Sequence, residues 1–355
     1  MTYLDYQATT PLAPEAREEM LRWLGGPDSD SFGNPNSAHR LGRSAAAAVE
    51  LARERVAMLC PPGGSVIFTG SATESINLAI RGSGEGGIVA ASAIEHAAVL
   101  DTVQALGAMH MIGVDGDGLA APSPLPAGTR LVCVMQVNNE IGTVQDIAAW
   151  QAHAAEAGAL LLCDAVQGAG KLAAPPADMI AISAHKLHGP KGVGALWVRD
   201  GVELAPQITG GGQEQGLRSG TLSPALCAGF GVAAQLAVEQ READAAHVAQ
   251  LWHRAVNLFA GWTINGSNTQ RWHGNFNVQK DGLDVARLMS DCRSIAFSAG
   301  SACASGSGRP SHVLRAIGLG EAQARSSIRL GFGRYTTLES LEAAATSLIT
   351  AAAQQ

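Results

Sequence analysis

The chain has 355 residues, 46% of them hydrophobic and 15% charged, with a formal net charge of −7. That length accommodates a large core and two domains, and the acidic balance argues against a general nucleic-acid or anionic-membrane binder, leaving only room for a local basic site. The opening "MTYLDYQATTP" has neither a basic nor an apolar leader region, and the longest nearly apolar run, 225–238, is too short to span a bilayer, so the expected location is cytoplasmic.

Short β-rich runs alternate with helical stretches through the first two-thirds of the chain. "SVIFTG" is followed by "SINLAIRG", "GIVAAS" by "HAAVLDTVQALG", and "MHMIGVD" and "TRLVCVMQV" by "IAAWQAHAAEAG"; "ALLLCD", "DMIAIS" and "GALWVR" complete seven predicted strands. This alternation predicts an α/β large domain, residues 15–245, with a mainly parallel sheet covered by helices. From about residue 245 the pattern changes to a long helix, "HVAQLWHRAVNLF", then short strands and helices. It predicts a smaller α+β domain of residues 246–355, joined by the N-terminal arm, 1–14.

Five polar clusters sit just past the carboxyl ends of predicted strands: "SATES", "EH", "NNE", "DAVQ" and "SAHK". In open α/β sheets that edge is where ligands bind. Plain turns are polar too, but His96, Asp164 and Lys186 are unusual choices for plain turns. The G-x-G-x-x-G match at Gly82, Gly84 and Gly87 follows a helix and precedes a strand, the wrong context for a dinucleotide, and no Walker-type phosphate loop is present. His185 and His188 lack further Cys or His ligands nearby, so no metal is expected.

The four lysines are Lys171, Lys186, Lys191 and Lys280. Lys186 directly follows an apolar strand, where burial would lower its pKa and free an amine able to form an imine with a carbonyl cofactor. Pyridoxal phosphate also needs an acid partner for its ring nitrogen, a part open to Asp164, and a phosphate site, which "GSATES" at a helix start offers. The six cysteines are scattered without a C-x-x-C pair, so neither a disulfide framework nor a zinc ribbon is expected. Cys133 and Cys163 lie in apolar runs and belong to the core. Cys303 differs, standing among glycine, serine and alanine in "FSAGSACASGSGRP".

Taken in order, "LDYQATTPL", "GNPNSAHRLGR", "SATESINLAI", "EHAAVLD", "VNNEIGTVQDI", "DAVQGAGK", "SAHKLHGPKGVGALWVR", "GLRSGTLS", "SAGSACASG" and "SSIRLGFGRYTT" make the chain resemble the NifS/IscS-type cysteine desulfurases over nearly its whole length. The resemblance implies a fold-type-I pyridoxal 5′-phosphate enzyme, a homodimer with its sites at the subunit interface. It implies that Lys186 is the Schiff-base lysine and moves the Cα proton, that Asp164 pairs with the ring nitrogen, that Gln167 bonds the phenolic oxygen, and that His96 stacks on the ring and shuttles protons. The phosphate would take Ala72, Thr73, Ser183 and His185, with Thr221 given by the neighbouring subunit. Asn139 and Arg329 match the substrate-carboxylate pair, with Arg334 the competing, structural arginine; "LGFGR" departs slightly from the usual sequence there.

The same resemblance gives Cys303 its role. Its thiolate would take the sulfur of L-cysteine as a persulfide, with release of L-alanine, and pass it to a protein acceptor, an iron–sulfur scaffold or a thiolation carrier. Glycine and serine around it would give the freedom to reach inward and outward. The spacing from Cys303 to Pro310 and "SHVLRAIGL" is similar to the long-loop group of the family. The Ala-rich, almost uncharged "LESLEAAATSLITAAAQQ" lacks the anchors expected of a docking surface, so acceptor contacts are expected around Cys303 instead.

Overall fold

The computed structural model describes residues 1–300 and 311–355. Strand β1 (Thr2–Tyr3) is followed by α1 (Pro14–Arg22), α2 (Arg40–Ala57), β2 (Gly64–Thr69), α3 (Ala72–Gly82), β3 (Ile88–Ser92), α4 (Ala97–Leu106), β4 (Met109–Ile112), β5 (Thr129–Cys133), α5 (Ile147–Glu156), β6 (Leu160–Asp164), β7 (Met179–Ser183), β8 (Gly194–Arg199) and α6 (Pro224–Glu239). Strands β2 to β8 form one seven-stranded sheet in the order β2-β8-β7-β6-β5-β3-β4. All seven strands expected from the sequence are in it.

The pairings β3–β4, β3–β5, β5–β6 and β6–β7 are parallel, whereas β8 runs antiparallel to β2 and β7. The link between β7 and β8 holds only a turn of 3₁₀ helix, Ala184–Lys186, and a Gly-Pro turn. It is too short for the helical crossover that a parallel return requires. Successive side chains of a strand point to opposite faces, so Leu161 joins Val132 and Phe230 on one side while Leu162 joins Leu131, Ile76 and Val99 on the other. Helices cover both faces, and every residue of β7 is buried.

The rest of the chain comprises α7 (Arg241–Leu258), β9 (Thr263–Ile264), β10 (Asn275–Gln279), α8 (Val285–Asp291), β11 (Ile295–Ala296), β12 (Ser298–Ala299), α9 (His312–Ala316), α10 (Glu321–Arg325), β13 (Ser327–Gly331) and α11 (Leu338–Ala353). An antiparallel sheet, β12-β13-β10-β9, packs its apolar side chains with α7 and α11, as in the contact set of Phe276, Leu330, Leu251 and Leu348. The N-terminal arm reaches the same region, because β1 pairs in parallel with β11 and Leu4 enters that core.

Candidate active site

Three strands of the large sheet and two helix starts bring the predicted polar clusters together at one edge. Ser71 caps α3, accepting the N–H of Glu74 at 3.3 Å, while Glu74 turns back to accept Gly70 N–H at 2.8 Å. The first-turn N–H groups of Ala72 and Thr73 have no carbonyl partner within the helix and carry its positive end. Gly194 lets β8 lie against this turn: a Cβ there would stand 2.6 Å from the Ser71 carbonyl carbon. At the start of α4 the cap is His96 itself, whose Nδ1 accepts Ala98 N–H at 3.1 Å. With Nδ1 accepting in this bond, the N–H that the ring can present elsewhere is at Nε2.

Asp164 ends β6, is 5% exposed, and accepts Val166 N–H at 2.9 Å. Burial pushes its carboxyl up, opposed by the charges of His96 and Lys186 and by the Val166 bond. Lys186 closes the short helical turn after β7, and its Nζ donates to the carbonyls of Gln7 and Ala8, the latter at 2.8 Å. Gln7 O also accepts Gln167 Nε2 at 3.0 Å. His185 lies 3.1 Å from Thr9 Oγ1, and its imidazole is pushed down to about 4, by burial first and then by Lys186, Lys191 and Lys171. It is neutral near pH 7.

Arg329, in the middle of β13 and 1% exposed, donates from Nη1 to Asn139 O at 3.0 Å and from Nη2 to Asp5 Oδ1 at 2.8 Å and Ser298 Oγ at 3.2 Å. Its Nε is buried without a partner among the described residues.

These groups surround one cavity of about 340 Å3, a volume suited to a small ligand. Of the residues singled out from the sequence, Ala72, Thr73, His96, Asn139, Asp164, Gln167, Ser183, His185, Lys186 and Arg329 line it. Thr221 is exposed and does not line it, and Cys303 lies outside the described residues. Arg334 is held elsewhere by Asp244, through bonds of 2.6 to 3.1 Å. Lys171 is pushed down to about 7 by burial and by Lys186, yet it lines a separate small pocket with His188 and Asp244. A larger groove of about 580 Å3 lies beside β2 and α2, where Arg53 is paired with Glu214 at 2.7 Å and Arg199 with Asp178 at 2.7 Å.

Asp5, Gln7 and Ala8 belong to the segment "LDYQATTPL", to which the sequence assigns no individual roles. The structure brings them to the cavity or to Arg329 from a segment with no helical or strand periodicity beyond Tyr3. Their one signal in the sequence is membership of that segment, which carries the family resemblance without marking which of its residues reach the site.

The donor set fits a phosphorylated pyridine aldehyde. A helix start with unpaired N–H groups, a buried carboxylate, an amine and a buried guanidinium all face one ligand-sized space.

Comparison with known proteins gives the same reading. The family described as "Aminotransferase class-V" matches residues 2–343. The chain is 42% identical to cysteine desulfurase IscS of Azotobacter vinelandii (strain DJ / ATCC BAA-1303) over 367 residues, covering 97% of this chain and 90% of that protein. A solved structure titled "NIFS-LIKE PROTEIN" superposes with a TM-score of 0.91 at 30% identity and covers 100% of both chains. Another, "SspA in complex with cysteine", gives 0.82 at 36% identity, covering 95% of this chain and 100% of that one. With these motifs on one cavity of this fold, the chain belongs to the class-V aminotransferase family, among its cysteine desulfurases.

Proposed function

We propose that the cavity binds pyridoxal 5′-phosphate and L-cysteine, and that the protein converts L-cysteine to L-alanine while its sulfur passes to Cys303 as a persulfide. The observation that carries this is the convergence of Lys186, Asp164, His96 and Arg329 on one 340 Å3 space. When bound, pyridoxal phosphate supplies an electron sink conjugated to the substrate Cα.

The residues around it divide the work. The N–H groups of Ala72 and Thr73, with Ser183 and neutral His185, would hold the phosphate by donation rather than by charge pairing. Asp164 would face the ring nitrogen, since a buried carboxylate is stabilised by a cationic N–H. Gln167 Nε2 has two hydrogens and spends one on Gln7 O, leaving the other for the phenolic oxygen. Lys186 is the amine for the cofactor aldehyde and the base at the substrate Cα. His96 presents Nε2–H as a proton donor. Arg329 and Asn139 would hold the substrate carboxylate.

The Cys303 thiolate then bonds to the substrate sulfur as the Cβ–S bond breaks. Protonation at carbon leaves alanine, and the persulfide remains for a protein acceptor, an iron–sulfur scaffold or a thiolation carrier. Thr221 is assigned to the phosphate of a second subunit in a homodimer, which accounts for its distance from its own cavity.

The division at about residue 245 is supported by the apolar side chains. The cores around the seven-stranded sheet draw on residues 13–237, whereas the other large core draws on Leu4, Val137 and residues 248–352. Cys60, Cys133, Cys163, Cys227 and Cys292 are buried and unpaired, as suits the reducing cytoplasm, and no helix among the described residues is long and apolar enough to cross a membrane.

The test is to load the purified protein with pyridoxal phosphate and supply L-cysteine with a thiol reductant. Alanine and sulfide in equal amounts support the reading; a loaded protein that releases neither overturns it.

A further inference from the structure

Ser311 and His312 are the first described residues after the stretch 301–310, and each is bonded to the sequence neighbour of a cavity residue. Ser311 Oγ donates to Glu140 Oε2 and accepts Leu314 N–H at 3.1 Å, so one hydroxyl caps α9 and joins it to Glu140. His312 Nε2 is 2.9 Å from the Glu95 carbonyl, which can only accept, so that nitrogen carries a proton. Glu140 follows Asn139, and Glu95 precedes His96. Apolar contacts run the same way, because Val313, Leu314 and Ile317 pack with Ile94, Met135 and Ile141.

The other end of the stretch meets the same point. Asn277, fully buried, donates from Nδ2 to Glu140 O at 3.0 Å and lies 3.5 Å from Gly300 O. Glu140 is 3% exposed, and neither it nor His312 lines the cavity. Its carboxylate is thus bonded to Ser311, and its carbonyl is linked through Asn277 to Gly300.

We propose that Glu140 and His312 are positioning residues for sulfur transfer, fixing the start of α9 against the turns that carry Asn139 and His96. The proposal rests on the reading of Cys303 as the sulfur acceptor. Transfer between two sulfurs is sensitive to small misplacement, whereas cofactor and cysteine are held by other groups. Losing either contact should therefore slow the transfer and spare binding.

The experiment uses the full chain loaded with pyridoxal phosphate and compares Glu140→Ala with Glu140→Gln, and His312→Leu with His312→Gln. Glutamine keeps an acceptor for Ser311 and a donor for the Glu95 carbonyl. One readout is the cysteine concentration that half-saturates the visible absorbance change; the other is the single-turnover rate of persulfide formation on Cys303 by mass spectrometry. Glu140→Ala and His312→Leu are expected to form persulfide about tenfold more slowly at unchanged half-saturation, with most of the rate restored by glutamine. Persulfide formation at the wild-type rate in both, or slowing that glutamine does not restore, overturns the proposal. A Cys303→Ala enzyme that still delivers sulfur at the wild-type rate overturns the reading of Cys303 itself, and this proposal with it.

Discussion

Arg329 Nη2 lies 2.8 Å from Asp5 Oδ1, a pairing across 324 positions of sequence that ties the N-terminal arm to the candidate substrate arginine. Ser298 Oγ donates to the same Asp5 oxygen at 2.8 Å, so the carboxylate is shared and the guanidinium plane is fixed. A charge buried this deeply needs such compensation, and holding it in one orientation prepares it for a second carboxylate.

Arg329→Ala should raise KM for cysteine strongly, as losing a buried charged partner costs on the order of 2–5 kcal/mol. Asp5→Asn should raise KM less, because the fork stays charged but loses its fixed orientation. Arg334→Ala should leave KM unchanged while lowering thermal stability, since Arg334 is bound to Asp244. Steady-state kinetics on the three variants distinguishes these; a normal KM for Arg329→Ala would move the carboxylate site elsewhere.

Lys186→Ala should abolish turnover and lose the borohydride-reducible bond to pyridoxal phosphate. Lys171→Ala should retain that bond, although burial pushes the Lys171 amine down, because it lines another pocket. Peptide mapping after reduction decides which amine is labelled. Label on Lys171 in the wild-type protein would refute the assignment.

Glu95 gives a stability prediction whose sign follows from its burial. Its carboxyl accepts Ser92 Oγ–H at 2.8 Å and Met135 N–H at 2.7 Å on one oxygen, while the other is buried without a partner among the described residues. Burial, then the charge of Asp164, pushes it up to about 8 from 4.5. Between pH 4.5 and 8 the unfolded chain is ionised here while the folded chain keeps the proton, so stability falls as pH rises through that window. Glu95→Gln, which resembles the protonated acid, should gain stability over the wild type by a few kcal/mol on going from pH 5 to pH 8. Urea unfolding at the two pH values measures it; an equal difference at both would mean that Glu95 ionises normally.

Much of this architecture is local in origin and was legible for that reason. The seven strands are short runs of four to six mostly apolar residues, and the polar residues that follow β2, β3, β5, β6 and β7 are those that meet at the cavity. The antiparallel β8 was implicit in the short link from Ser183 to Gly194, which leaves no room for a crossover helix. The N-terminal arm was not legible in the same way. Asp5, Gln7 and Ala8 act through contacts 160 to 324 positions away, to Gln167, Lys186 and Arg329, and two of those contacts use backbone carbonyls that any residue carries. The clamp of Glu95 and Glu140 on α9 has the same origin. It consists of single bonds between turns, with no periodicity to mark them.

The most direct test of the account is mass spectrometry of the Cys303 peptide after one turnover of the pyridoxal phosphate-loaded protein with 34S-labelled L-cysteine. The account predicts one added labelled sulfur on Cys303, formed together with alanine, and in Cys303→Ser no persulfide despite an unchanged absorbance response to cysteine. Alanine released at the normal rate by Cys303→Ser, or labelled sulfur found on another cysteine of the wild-type chain, would contradict it.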